Sequence, residues 1–185
     1  MELKLYMVLL GGKPKGRHTE QHDVFFGIAS SLKELVPDFN AFWPEAKGKM
    51  HVDGWREIKN VNGYELSVIP KSEGNEPSAA LLFFINLGGY KQDEFEEFHY
   101  KLAIAAPDIS KAIKMAKETA FYKHTHIEGA ASHVDDNYGI DVDDTYKVED
   151  ILPEIMKEKY EIHLKLSNSN QVDPMHLGYF KFENL

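Results

Sequence analysis

The sequence contains no cysteine, so disulfides, thiolate zinc sites and cysteine nucleophiles are excluded. This absence is typical of a reducing compartment, and we expect a cytoplasmic protein. The chain also lacks any apolar run of the roughly 18 to 20 residues that a membrane helix needs. Its first residues, MELKLYMVLLGG, carry charges inside the apolar stretch, which a signal peptide does not. We therefore expect no membrane association.

Basic residues are in deficit. The chain has 21 Lys and Arg against 30 Asp and Glu, which gives a formal net charge of −9. Binding to nucleic acid begins with Lys and Arg side chains that neutralise phosphates. We therefore expect no nucleic-acid partner.

A nucleotide-binding P-loop is also absent, although a basic glycine-rich loop follows the first apolar run. Gly11 and Gly16 have the spacing of the G-x-x-x-x-G-K-[ST] motif, but Arg17 and His18 stand where Lys and a hydroxyl residue are required. The next segment, EQHDVFFGIA, is typical of a strand rather than a phosphate-capping helix. Two interpretations remain: a solvated turn, or a looser anion site formed by backbone amides together with Lys13, Lys15, Arg17 and His18.

The chain resembles itself at two places. LYMVLLGG at 5–12 aligns with LFFINLGG at 82–89, so both segments end in two glycines. These glycines are interpreted as residues at which the chain leaves a strand, through positive φ or a close backbone approach. The alignment predicts an internal duplication. Its polar pairs are Glu20 with Glu97, His22 with His99, His51 with His133, and Asp53 with Asp135.

The pattern of strands and helices predicts an α+β fold. Two pseudo-symmetric β-β-α-β-β-like repeats share a core in this prediction, with helices packed on the sheets and extra C-terminal strands. The first repeat covers 1–70, a connector 71–79, the second repeat 80–152, and a strand extension 153–185. A helix is predicted at 30–42, kinked or divided at Pro37. The Asn-Gly pair at 62–63 predicts a β-hairpin.

Two segments carry a family resemblance, namely MVLLGGKPKGRHTEQHDVFFGIA and HVDGWREIKNVNGYEL. The chain resembles small bacterial proteins built from one or two copies of an uncharacterised domain, DUF 1543. The resemblance covers most of the first copy and, more weakly, the second. It implies a two-copy organisation and brings no established activity or catalytic residue.

Histidine and aspartate side chains suggest a metal site. In an extended segment, residues two apart point to the same side, so His51 and Asp53 can supply two ligands or an oriented imidazole. Adding a histidine gives two imidazoles and one carboxylate, a known metal-site composition. The alternative is a structural role, in which these groups hydrogen-bond the ends of strands. The candidate ligands are His22, His51, Asp53, His99, His133 and Asp135.

Two functions stay open at the level of sequence. The first is a non-enzymatic binding or assembly protein that needs no cofactor, recognises a protein or small molecule, and forms a homo-oligomer. The second is a metal-dependent enzyme acting on a small acidic metabolite, with His22, His51 and Asp53 as ligands and the loop at 13–18 holding the anion. The enzyme hypothesis requires these residues to converge on one accessible pocket.

Overall fold

The computed structural model describes residues 2–73, 77–90, 93–125, 141–167, 169 and 171–185. Within these ranges the chain forms antiparallel sheets and short helices, and it is mostly β, so the α+β prediction is confirmed. The strands are β1 (Lys4–Gly12), β2 (Gln21–Ala29), β3 (Met50–Glu57), β4 (Asn60–Val61), β5 (Tyr64–Pro70), β6 (Leu81–Tyr90), β7 (Glu97–Ala106), β8 (Asp141–Lys147), β9 (Tyr160–Leu166) and β10 (His176–Phe180). The α-helices are α1 (Val36–Phe42), α2 (Ile109–Thr125) and α3 (Glu154–Lys159), and 3₁₀ turns occupy Leu32–Leu35, Pro44–Ala46, Val148–Ile151 and Phe182–Asn184. No helix in these ranges is both long enough and apolar enough to cross a bilayer.

The chain divides into two compact units, of which unit 1 comprises Met1–Pro77 and Ile151–Leu185. Its larger sheet has the strand order β10-β3-β1-β2, and its smaller sheet has the order β4-β5-β9. The C-terminal segment therefore supplies a strand to each sheet of unit 1, since β9 pairs with β5 and β10 pairs with β3.

The core of unit 1 lies between the larger sheet and α1. Phe39 of α1 is fully buried and packs edge to face on Phe25, with ring centroids 5.1 Å apart. The helix predicted at 30–42 is divided into a 3₁₀ turn and α1. Pro37 lies in the first turn of α1, where a backbone N–H has no partner within the helix, so the missing N–H of proline costs no hydrogen bond. Other members of this core are Tyr6, Val8, Leu10, Leu35 and Val52.

The predicted Asn-Gly hairpin is confirmed between β4 and β5. Asn62 has φ 36° and Gly63 has φ 89°. Two consecutive residues with positive φ are what a type I′ turn requires, which is why this dipeptide specifies the hairpin locally.

Unit 2 comprises Ser78–Asp150. Its described sheet has the order β7-β6-β8, with α2 packed against β6 and β7. The backbone N–H of Lys111 donates to Oδ1 of Asp108 at 2.8 Å, which satisfies a free donor at the start of α2. Its core contains Phe83, Ile85, Leu87, Ile104, Ala112 and Ala116. Both units thus run β-β-α-β; a duplication and a shared core stay predictions.

Candidate metal centre in unit 1

Gly11 lies between two histidines. In the larger sheet of unit 1 it is paired with His22 of β2 on one side and with His51 of β3 on the other. Directly opposed residues of antiparallel strands project their side chains to the same face. Two imidazoles therefore flank a residue that has no side chain of its own.

Asp53 reaches the same place through a β-bulge. Leu10 pairs with Val52 and Leu9 pairs with Gly54, so Asp53 is the extra residue of β3. Bulges of this kind re-aim side chains and are frequent next to functional sites.

A side chain at Gly11 has no room. A Cβ atom there would lie 2.2 Å from Oδ2 of Asp53 and 2.6 Å from Nε2 of His51. The strand β1 ends at Gly12, and neither glycine has positive φ, so of the two predicted reasons for these glycines only the close approach applies. The close approach of two polar side chains is the physical reason for glycine at position 11.

Two carboxylates bridge the two histidines. Nε2 of His51 lies 3.0 Å from Oδ1 of Asp53 and 3.3 Å from Oε1 of Glu20. Nε2 of His22 lies 3.1 Å from Oδ2 of Asp53 and 3.9 Å from Oε2 of Glu20. These four residues, Glu20, His22, His51 and Asp53, are called the donor cluster below.

Nε2 of His51 is buried and unsatisfied. His51 is 5% exposed, and among the described residues its Nε2 has no hydrogen-bond partner, although two carboxylate oxygens are near. The contacts therefore have short distances without the geometry of hydrogen bonds. A buried polar atom left unpaired costs about 1 to 3 kcal/mol. The ring of Tyr179 lies over the imidazole of His51, with centroids 4.0 Å apart, and shields it from water.

The donor cluster has the residue types that bind a divalent transition-metal ion. Metal bonds to imidazole nitrogen and carboxylate oxygen are about 2.0 to 2.2 Å long, which puts neighbouring ligands roughly 3.0 to 3.5 Å apart. Three of the four distances from a histidine Nε2 to a carboxylate oxygen, at 3.0, 3.1 and 3.3 Å, lie in that range, each to a different oxygen atom. Imidazole and carboxylate ligands suit zinc, iron and manganese, and two carboxylates balance a charge of +2.

The structure brings three of the predicted ligands together, His22, His51 and Asp53, and adds Glu20. In the sequence, Glu20 appeared only as half of an aligned pair, and nothing indicated which side chains Gly11 makes room for. The predicted anion-binding side chains lie in the loop between β1 and β2, all exposed; Lys13 lines a cavity next to His51, and the others are Lys15, Arg17 and His18.

Unit 2 carries a related group around Gly88 of β6. His99 is paired with Gly88, and its Nε2 lies 3.3 Å from Oδ2 of Asp143 and 3.9 Å from Oε2 of Glu97. One donor atom from each of these three residues lies within 4.8 Å of the others. Asp143 is again the extra residue of a bulge, and a Cβ at Gly88 would lie 2.5 Å from its Oδ2.

The strand register shows which residues of unit 2 stand in the places of His51 and Asp53. Asp141 is paired with Gly88, as His51 is paired with Gly11, and Asp143 occupies the bulge, as Asp53 does. In strand register, Asp141 and Asp143 of unit 2 therefore stand where His51 and Asp53 stand in unit 1. The predicted partners His133 and Asp135 lie outside the described residues, so the alignment of His51 and Asp53 with them stays a prediction.

Comparison with known proteins supports the fold and the family resemblance. The crystal structure of protein Il1583 from Idiomarina loihiensis is similar over 97% of both chains, with a TM-score of 0.65 at 20% sequence identity, so the two share a fold. No curated protein matches the chain at a significant level. Residues 17–68 match the family model described as Domain of Unknown Function (DUF1543), which confirms the resemblance, and this segment contains all four residues of the donor cluster.

Proposed function

We propose that the chain is a metal-binding protein whose unit 1 holds a divalent transition-metal ion in the donor cluster. The observation that carries the proposal is the buried Nε2 of His51, which faces oxygens of Asp53 and Glu20 at 3.0 and 3.3 Å without a hydrogen bond to either. An imidazole lone pair and two carboxylate oxygens repel one another unless a cation lies between them. A bound metal ion removes both the repulsion and the unsatisfied nitrogen.

Each donor has a defined part in this site. His22 and His51 supply neutral imidazole nitrogens, and Asp53 and Glu20 supply the two negative charges. The aromatic ring of Tyr179 restricts the orientation of the His51 ring, as outer-shell partners of metal ligands do. The proposal takes its metal ligands from the second hypothesis of the sequence analysis, His22, His51 and Asp53, and assigns them to a binding site.

A metal-dependent enzyme is a second candidate. Glu20 and His51 also line a surface cavity of ≈ 540 Å³, so a metal ion held by these residues would border an accessible space. Of the residues that the enzyme hypothesis brings to one pocket, His51 and Lys13 line this cavity. Turnover of small phosphate esters or carboxylic acids that stops when a chelator is added, and returns with metal, would support it.

Elemental analysis tests the metal site. Untagged protein purified without chelator should contain about one tightly held equivalent of zinc, iron or manganese that His51→Ala loses. His163→Ala is the matched control, because His163 lies on β9 in the other sheet of unit 1. It should keep the metal.

A second variant distinguishes the loss of a metal ligand from misfolding of the protein. Glu20→Gln removes one donor from an exposed side chain, so it should fold normally by circular dichroism and bind metal at least about tenfold more weakly. Wild-type protein that stays free of metal after incubation with zinc, manganese and iron salts would overturn the proposal.

A cytoplasmic location and self-association belong to the same proposal. The absence of cysteine supports the location, because it fits a reducing compartment. Cell fractionation checks the location, and light scattering on purified protein checks the oligomeric state.

A further inference from the structure

The cavity next to the donor cluster has the dimensions of a small-molecule site. Its volume is ≈ 540 Å³, and its lining includes Glu20, His51 and Tyr179. Sites for small ligands measure roughly 300 to 1,000 Å³. A metabolite of a few carbon atoms fits in such a space with water to spare.

The charge of this cavity differs from that of the whole chain. Three lysines line it, Lys13, Lys49 and Lys181, against two glutamates, Glu20 and Glu183. Nζ of Lys181 lies 3.9 Å from Oε1 of Glu183, a long contact between two mostly exposed side chains. The chain has a net charge of −9, so a cluster of lysines at one place on it creates a local attraction for anions.

Sheet topology explains how these lysines meet. Lys13 directly follows β1, Lys49 directly precedes β3, and Lys181 directly follows β10. The strands β10, β3 and β1 are neighbours, and each is antiparallel to the next. The end of β1, the start of β3 and the end of β10 therefore lie side by side at one end of the strands. Residues far apart in sequence thus form one positive rim beside the donor cluster.

We propose that this cavity binds a small oxyanion, a carboxylate or a phosphate, whose charge is held by the lysines and one of whose oxygens completes the coordination of the metal ion. The inference rests on the proposed function, because the ion supplies part of the attraction. Without metal, the carboxylates of Glu20 and Asp53 repel an anion; with metal, their charge is neutralised. Binding of the anion therefore depends on the metal.

Cobalt(II) provides a direct test. Protein loaded with cobalt has a visible absorption that changes when a new oxygen ligand binds the ion. Titration with inorganic phosphate and, separately, with succinate should change this spectrum to saturation. Phosphate as the tighter ligand would indicate phosphate esters, and succinate as the tighter ligand would indicate carboxylic acids.

Lysine variants test the rim. Lys49→Gln and Lys181→Gln should each lower the affinity for the anion roughly fivefold and leave cobalt bound. The effect is modest because partly exposed charge pairs contribute little. Lys165→Gln on β9 makes the same change in net charge in the other sheet and should have no effect. An equal loss in Lys165→Gln would overturn the inference, because the effect would then be one of net charge.

The outcomes separate the two proposals. Cobalt that binds but gives no spectral response to either anion would overturn this inference and leave the metal site standing. Protein that binds no cobalt would overturn both. Equal binding of phosphate to metal-free and metal-loaded protein, measured by calorimetry, would contradict the stated dependence on metal.

Discussion

The neighbourhoods of Gly11 and Gly88 share a plan and differ at one position. Each glycine is paired with a histidine on one side, and each lies beside an aspartate that protrudes from a bulge. On the other side, Gly11 is paired with His51 and Gly88 with Asp141. The backbone geometry is therefore repeated, while the set of donor types available to a metal is not.

The difference in donors has a chemical consequence. Two imidazoles with two carboxylates favour zinc, iron or manganese, whereas one imidazole with mainly carboxylates favours magnesium, calcium or manganese. Solvent exposure differs as well: His51 is buried under Tyr179, and Glu97, His99 and Asp143 lie at the surface. The comparison teaches that one strand geometry can carry two sets of donor residues that differ in composition and in burial.

Substitution of Gly11 and of Gly88 by alanine should give the largest difference between the two units. Gly11→Ala should abolish tight metal binding, a loss of at least about 100-fold, because the new Cβ would overlap Asp53 and buried His51. It should also destabilise the fold by about 1 to 3 kcal/mol, which outweighs the roughly 0.4 to 1 kcal/mol gained from a stiffer unfolded chain. Metal analysis and thermal unfolding measure both effects.

Gly88→Ala is the matched control for this prediction. The three atoms nearest to its Cβ all belong to the side chain of Asp143, which is 32% exposed and can turn away. We expect a change in stability under about 1 kcal/mol and no loss of the metal held by unit 1. A Gly11→Ala protein that retains its metal would contradict the role assigned to this glycine.

Asp141→His should make the donors of unit 2 resemble those of unit 1. The substitution puts a second histidine opposite Gly88, and we expect zinc affinity in unit 2 to rise at least about tenfold. Zinc titration should then reveal a second equivalent. Asp144→His is the control, because Asp144 is paired with Asn86 rather than with Gly88. A gain with Asp144→His, or none with Asp141→His, would show that register does not determine the donor set.

Tyr179→Leu should produce the smallest effect. Strand β10 brings Tyr179 over His51 in unit 1, whereas the described sheet of unit 2 consists of β7, β6 and β8. Loss of one ring contact of this kind costs about 0.5 to 1.5 kcal/mol, so metal affinity should fall by about two- to tenfold. Tyr179→Phe keeps the ring and should bind metal like the wild type. A Phe variant as weak as the Leu variant would assign the effect to the hydroxyl group.

Local signals in the sequence were sufficient for several features. Asn62 and Gly63 specify a hairpin because their own backbone preferences match the turn. The spacing of His51 and Asp53 predicted that both side chains reach one side of the strand, and they do, although Asp53 stands in a bulge. Pro37 predicted an interruption because its ring excludes a normal helical hydrogen bond.

Features that depend on pairing between distant segments of the chain could not be predicted from the sequence. Nothing indicated that Asp141 and Asp143 stand in the places of His51 and Asp53, since a bulge is visible only once two strands are paired. Lys49 and Lys181 join Lys13 only because β10 and β1 both pair with β3.

The amino-acid sequence by itself determined the α+β class, the hairpin and three of the four donors, His22, His51 and Asp53. Tertiary structure alone decided that Glu20 joins them, that Gly11 makes the space, and that Tyr179 covers His51. The physical reason is that propensity and periodicity act between neighbours along the chain. Strand register, bulges and cavities arise from pairings between distant segments, whose stability depends on the whole core.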